Sequence, residues 1–279
     1  MKLLRIGEPG HEIPAMLDSD GAARDLRSVI GDLDAAAISP AGLDRLRQID
    51  SATLPLAPAG RIGPCVPRPM NFICIGLNYA DHAAETGAAI PKEPIVFLKA
   101  LGAFQGPNDD VRIPRGSVKT DWEVELGIII GAPASYVSED DAMDHVAGYC
   151  VVNDVSERAY QIERGGTWDK GKGCDTFGPT GPWLVTADEV PDPQKLAMFL
   201  DVDGHRMQTG NTSTMIFGVR TLVSYVSQFM TLHAGDIIST GTPPGVGLGM
   251  KPPVYLHAGQ TMRLGIAGLG EQTQRVTAA

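Results

Sequence analysis

The sequence predicts a mixed-β protein with few helices, in which a β-rich domain follows a small α+β one. Three observations carry this reading. From Asn71 onward, short runs rich in Val, Ile and Phe recur between glycines and prolines, of which the chain has 33 and 21. Apolar runs of that length bounded by turn formers read as strands. Helical spacing of apolar residues is convincing only over 139–146 and 221–229. The first 68 residues follow a different pattern and close with a proline-rich stretch, 54–64, that reads as an irregular connection.

Taken in order, 2–6 and 13–17 read as strands and 39–49 as a weak helix, giving a small domain over 1–68. The second domain, 69–279, has strand candidates at 72–76, 95–99, 124–130, 147–153, 182–185, 195–202, 236–240 and 260–266. No fixed repeat stands out. Many short strands with so few helices disfavour a doubly wound parallel sheet.

A chain of 279 residues has room for a large core, and 43% hydrophobic with 20% charged residues is ordinary for a globular protein. A net charge of −10 argues against a nucleic-acid partner, because phosphate neutralisation needs clustered Lys and Arg. Cys65, Cys74, Cys150 and Cys174 show no C-x-x-C spacing, and Cys74 and Cys150 sit in apolar runs. They read as reduced thiols of a cytoplasmic protein. No apolar run approaches membrane-spanning length, and the start lacks the pattern of a signal peptide. The expectation is therefore no membrane partner.

The chemistry is concentrated in Asp121-Trp122-Glu123-Val124-Glu125-Leu126-Gly127. In a strand, side chains alternate faces at ~3.3 Å per residue, so Glu123 and Glu125 share a face about 6.6 Å apart. Two like charges on a buried face are costly unless something positive lies between them. The run contains no Lys or Arg, so a divalent cation with oxygen ligands is an economical solution. The plainer reading is an edge strand with a wet acidic face. Asp154 adds a third carboxylate, at the exit of the apolar run 146–153, where a turn or cap role is the plainer reading. Three carboxylates suit Mg²⁺ or Mn²⁺ better than Zn²⁺, which prefers His and Cys.

His82 and Glu85 lie at i, i+3 and would share a face of a short helix. A carboxylate beside an imidazole fixes its tautomer and raises its basicity, as a general base requires. A surface His next to a surface Glu is the commoner meaning of such a pair. The stretch 79–91 around them, short and rich in Ala and Gly between two strands, reads as a lid. Residues 240–247 are glycine- and proline-rich but lack G-K-[ST], so no phosphate loop is read there.

Asn78-Tyr79-Ala80-Asp81-His82, Phe97-Leu98-Lys99, Glu123-Val124-Glu125-Leu126, Asn153-Asp154-Val155-Ser156-Glu157-Arg158, Trp168-Asp169-Lys170-Gly171-Lys172, Ser213-Thr214-Met215-Ile216-Phe217 and Thr240-Gly241-Thr242-Pro243-Pro244-Gly245-Val246-Gly247 follow one another in this order. Together they resemble the fumarylacetoacetate hydrolase family over about 71–269. The resemblance implies a β-roll catalytic domain, a homodimer, and one Mg²⁺ or Mn²⁺ per site. It implies Glu123, Glu125 and Asp154 as metal ligands and His82 with Glu85 as a water-activating pair. Gln161 and Lys172 would face the reacting carbonyl, and Thr242 the substrate carboxylate, with Lys99 also among the substrate contacts. Arg158 would bind substrate or brace the metal carboxylates. Lys170 and Lys172 flank a glycine turn, where solvation of one is the plainer reading. Lys99-Ala100 stands where many relatives have Lys-Pro, which leaves the metal site untouched but clouds transfer of substrate preference.

The implied substrate is a small 2-oxo acid, and the favoured reaction is hydrolysis of a C–C bond in an acylpyruvate or 2,4-diketo-3-deoxy sugar acid. A ureidoglycolate lyase is the runner-up, followed by a 2-hydroxyhepta-2,4-diene-1,7-dioate isomerase or oxaloacetate decarboxylase. A catalytically silent metal-binding paralogue is the non-enzyme alternative, against which intact His82, Glu85 and Lys172 argue.

Overall fold

A computed structural model of the protein describes residues 1–87 and 89–279. Its strands, in chain order, are β1 (Lys2–Ile6), β2 (Ile13–Leu17), β3 (Ala23–Asp25), β4 (Phe72–Gly76), β5 (Ile95–Leu98), β6 (Phe104–Gln105), β7 (Val111–Ile113), β8 (Thr120–Asp121) and β9 (Val124–Ile130). They continue with β10 (Val146–Asn153), β11 (Ser156–Glu157), β12 (Gly178–Thr186), β13 (Ala197–Val202), β14 (His205–Asn211), β15 (Ile237–Ser239), β16 (Thr261–Ile266) and β17 (Gly270–Ala278). The helices are α1 (Pro40–Arg47), α2 (Ala80–Thr86), α3 (Asp169–Lys172) and α4 (Val219–Ser227). The mixed-β expectation holds.

The main sheet runs β3-β2-β1-β12-β10-β9-β15-β4-β5, with β6 attached to β12. A five-stranded sheet, β14-β13-β16-β17-β7, packs against one face of it. Val124, Leu126 and Val151 from the main sheet, with Trp122 just ahead of β9, meet Leu200, Met262, Leu264 and Val276 from the smaller one in a single core. Alternation along β9 sends Ile129 to the opposite core, with Cys74, Cys150, Leu184 and the α1 residues Leu43 and Leu46. The leading segment thus adds β1–β3 to the edge of the main sheet through β12, at Leu3↔Leu184, and covers its second face. Helix α1 starts where Ser39 accepts a hydrogen bond from the Gly42 N–H, with Pro40 in its first turn.

The helix expected over 139–146 is corrected. The structure has a single 3₁₀ turn there, Ala142–His145, because β-branched Val146 already pairs with Ile130 as the first residue of β10. The helix expected over 221–229 is found as α4, two residues earlier at each end. The proposed lid, 79–91, comprises α2 and the turn after it, and runs through Ala88, which lies outside the described residues. No helix among the described residues is long and apolar enough to cross a membrane. The four cysteines are free thiols, and Cys65, Cys74 and Cys150 are buried.

Candidate active site

The start of β9 and the ends of β10, β15 and β4 meet at one end of the main sheet, because β9 runs antiparallel to both β10 and β15 while β15 runs parallel to β4. Register brings Val152 opposite Glu125, and the Asp154 N–H donates to the Glu123 carbonyl one step further on. The three acids therefore converge: one carboxylate oxygen from each of Glu123, Glu125 and Asp154 lies within 4.8 Å of the other two. All three are buried, at 5%, 2% and 0% exposure, and β9 is a central strand. That excludes the wet edge strand and the solvent-facing turn.

The positive charge absent from the run itself comes from three distant segments. Lys172 Nζ donates to Glu123 at 2.5 Å and to Asp154 at 2.7 Å. Lys99 Nζ reaches Asp154 and the Val155 carbonyl. Arg158 donates to Glu123 at 2.6 Å and to the fully buried Asp121 at 2.8 Å. Among the described residues no cation pairs with Glu125: its carboxylate accepts from the Ser239 hydroxyl at 2.6 Å and the Gly241 N–H at 2.9 Å.

The ionisation of these groups follows from the pairing. Burial alone would raise the Glu123 carboxyl, but Lys172 and Arg158 overcome it and hold the group at about 2. Burial, with Asp154 and Glu123 adding to it, pushes Glu125 well above the usual carboxylate range. Burial would lower Lys172, and Asp154 and Glu123 more than reverse that, so its ammonium is secure. The cluster therefore sets four carboxylates, counting Asp121, against three cations. Buried, clustered, all-oxygen and short of positive charge, the triad fits a hard divalent cation.

Lys172 arrives on α3, one turn long. A side chain at Gly171 would set its Cβ 2.4 Å from the Glu157 carbonyl oxygen and 2.6 Å from Gln161 Cβ, so only glycine lets this turn approach closely enough. Its neighbour Lys170 is exposed and donates to the Arg164 carbonyl. Two of the three Lys172 N–H groups serve Glu123 and Asp154, and the third remains for the cavity.

His82 is buried on α2, with Nδ1 3.1 Å from Glu85 Oε2. Glu85 is itself anchored by the Gly245 N–H at 3.0 Å. As the carboxylate accepts from Nδ1–H, the basic nitrogen of the ring is Nε2. The entry to α2 is fixed by Leu77 in the left-handed region, φ 50°, and by Asn78, whose amide bridges Phe217 and the Thr240 carbonyl.

Gln161 lies on a π-helical turn, Ala159–Glu163. Arg158 has only donors, so its 3.0 Å contact must be to the Gln161 oxygen, which leaves the amide N–H groups as the polar face offered to the cavity. Thr242 donates its hydroxyl to the Val124 carbonyl and accepts from Gln208, so a substrate carboxylate would meet its backbone rather than its O–H proton.

His82, Glu123, Glu125, Arg158, Gln161, Lys172 and Thr242 line one cavity of about 210 Å³. Lys99 stands behind Asp154, away from that cavity. It lines instead a groove of about 980 Å³ along the outside of β5 that holds none of the three acids. The larger hollow is not the chemical one.

Asp121 and Trp168 were not singled out from the sequence. Asp121 binds Arg158 and caps the Gly247 and Leu248 N–H groups at 2.7 and 3.0 Å, tying the 245–248 loop to the acid cluster. Its signal was present, since a third acid stood in the run carrying Glu123 and Glu125. Trp168 closes the cavity beside Phe97, with ring centroids 5.3 Å apart; it opens the stretch 168–172 that carries part of the family resemblance, but that stretch gave it no role of its own.

A β-roll that draws acids, an imidazole–carboxylate pair and an amide donor from separate strands and turns into one small cavity is the architecture of an enzyme. Comparison with known proteins narrows the class. Residues 71–277 match the fumarylacetoacetate (FAA) hydrolase C-terminal family model, and the chain belongs to the fumarylacetoacetate hydrolase family. A Burkholderia multivorans protein, provisionally described as a hydrolase, is 65% identical over the full length of both chains. Among solved structures, a fumarylacetoacetate hydrolase from Exiguobacterium antarcticum is 35% identical with a TM-score of 0.87, covering all of both chains. Maleylpyruvate hydrolase from Sphingobium, in complex with manganese(II) and pyruvate, is 30% identical with a TM-score of 0.83 and the same full coverage. A 2-hydroxyhepta-2,4-diene-1,7-dioate isomerase from Mycobacterium marinum is 33% identical with a TM-score of 0.76, covering all of this chain and 98% of the other.

Proposed function

We propose that the protein hydrolyses the C3–C4 bond of a 2,4-dioxo acid, releasing pyruvate and a second acid. The observation that carries this reading is the pairing of a buried acid triad, two of whose members line the cavity, with an imidazole in the same cavity already held by its own carboxylate. A hard divalent cation, Mg²⁺ or Mn²⁺, held by Glu123, Glu125 and Asp154 would act as a Lewis acid on the substrate carboxylate and 2-oxo oxygens.

The chain's own groups supply the rest. His82 takes a proton from water at Nε2, and Glu85 stabilises the imidazolium that results. The hydroxide adds to C4, where the Gln161 amide and the third Lys172 N–H receive the oxyanion, each such donor contributing roughly 3–4 kcal/mol. The C3–C4 bond then breaks, its electron pair stays on C3, and the proton held by His82 completes pyruvate. Arg158 acts from behind by fixing Glu123 and the Gln161 amide. Lys99 is placed to hold Asp154.

The solved maleylpyruvate hydrolase, with manganese(II) and pyruvate bound, supports this reading at 30% identity. The isomerase at 33% identity supports a second one, in which the same base moves a proton within a 2-hydroxydiene and no water adds. Purified protein supplied with Mg²⁺ or Mn²⁺ and acetylpyruvate should yield pyruvate and acetate in equal amounts. Isomerisation of a dienedioate without hydrolysis of any 2,4-dioxo acid would overturn the proposal in favour of the isomerase. We further propose a homodimer without nucleic-acid or membrane partners, for which sedimentation velocity at twice the monomer mass is the check.

A further inference from the structure

Beside its charged and polar residues the cavity has an apolar lining. The remaining wall is Leu77, Phe97, Ile162, Trp168, Val246 and Leu248. Trp168 is built into this wall, because a Cβ at Gly76 would lie 2.3 Å from its Cζ3, so the ring occupies space that any other residue at 76 would deny it. Among the described residues Arg158 and Lys172 are the only Lys or Arg side chains lining the cavity, and both are engaged by buried carboxylates. Thr242 has already committed its hydroxyl.

We infer that the substrate carries a short, neutral, apolar group beyond its 4-carbonyl, an alkyl or aryl acyl chain, and neither a second carboxylate nor a polyhydroxylated tail. This rests on the hydrolase reading and narrows it. Four carboxylates facing three cations are brought to neutrality by one divalent cation and one substrate carboxylate. A second carboxylate on the tail would then be buried against aromatic and aliphatic side chains with no cation left to pair it. A sugar-like tail would bring several hydroxyls to a wall whose side chains offer one donor, the Trp168 indole N–H, and no acceptor. The volume, about 210 Å³ against the roughly 300–1,000 Å³ of ligand clefts in general, limits the tail to a few carbons or one ring.

The test uses Mg²⁺-loaded protein and 2,4-dioxo acids that share one head group. Their tails end in methyl, straight alkyl, phenyl, carboxylate of matched length, or a polyhydroxy chain. The kcat/KM for alkyl or phenyl tails is expected to exceed that for the carboxylate tail by about 10²-fold, the range for burying an unpaired charge. Ile162, half exposed at the mouth, offers a variant that leaves the core intact, and Ile162→Arg should shrink that ratio at least tenfold by supplying the missing cation. Binding is read separately by calorimetry with 2-oxohexanoate and 2-oxoadipate, which have no 4-carbonyl to cleave; the first should bind at least tenfold more tightly. Equal or better turnover of the carboxylate or polyhydroxy tail would overturn the inference while leaving the hydrolase intact. If no 2,4-dioxo acid is cleaved, the hydrolase reading fails and the binding pair alone decides the tail, a preference for 2-oxoadipate refuting it.

Discussion

The charged and apolar walls of the cavity are built by opposite rules. On the charged side every group is held at least twice: Glu123 by Lys172 and Arg158, Asp154 by Lys172 and Lys99, Glu125 by Ser239 and Gly241. On the apolar side Trp168 meets Phe97 edge to face, Lys172 Nζ lies 5.3 Å from the Phe97 ring centroid, and half-exposed Ile162 and partly exposed Leu77 and Leu248 have room to exchange. The lesson is that position matters to a fraction of an ångström where charge must be balanced in a low dielectric, whereas shape and neutrality suffice where a tail must only be accepted. Changes to the first wall should therefore act on kcat, and changes to the second on the choice among substrates.

The largest effect expected is from metal removal. Exhaustive chelation should abolish turnover, and Mg²⁺ or Mn²⁺ should restore it; full activity in a metal-free preparation would refute the assignment of the triad. Next, His82→Ala should lower kcat by about 10²–10⁴-fold with metal affinity little changed. Glu85→Ala should lose less, and the double variant should fall far short of the product of the two, since the pair acts as a unit. Loss of metal binding in His82→Ala would make His82 a ligand instead. Gln161→Ala should cost about 10²-fold in kcat, and Gln161→Glu, which keeps a partner for Arg158 but removes the donor, should be no better. Rescue by Gln161→Glu would show that bracing Arg158 is its whole role.

The same contrast governs what could be read from the sequence. Strand β9 was legible because all seven of its residues are buried and apolar but for one acid and one glycine, so pattern and burial coincide. Strand β17 was not, because two of its inward positions are Gln272 and Gln274. These side chains are buried as hydrogen-bonding struts, Gln272 to the Val151 and Gly181 carbonyls and Gln274 to Asn153 and the Pro107 carbonyl. Binary patterning counts them as polar and finds no strand. In the site, the acids were legible because like charges on one strand face demand an explanation. Their cations lie 18 to 55 residues away along the chain, at separations that local patterning does not reach. The family resemblance named Lys172, Arg158 and Lys99 as functional, but their mutual arrangement came only from the fold. Trp168 opens one of the stretches that carry the family resemblance, but its place in the cavity wall follows only from the space that Gly76 leaves for its ring.

The smallest expected effect is the sharpest test of the two-wall contrast, because the new methyl meets the Trp168 ring and none of the acids or their cations. In Gly76→Ala the new Cβ would fall 2.3 Å from Trp168 Cζ3 and 2.8 Å from Cη2, so the ring must swing away. A rigid indole has no flexible end with which to yield, and its T-shaped contact with Phe97 would be lost as well. The acid cluster does not touch this methyl. Metal affinity and kcat for acetylpyruvate, whose tail is a single methyl group, should therefore stay within about twofold of wild type, in keeping with additivity between separated sites. For longer alkyl or phenyl tails, KM should rise about tenfold, the scale of one or two misplaced methylene contacts. An equal loss for the methyl and the long-tailed substrates would mean that Trp168 helps to position the reacting carbonyl. The two walls would then be one mechanical unit, and the division of labour between them would fail.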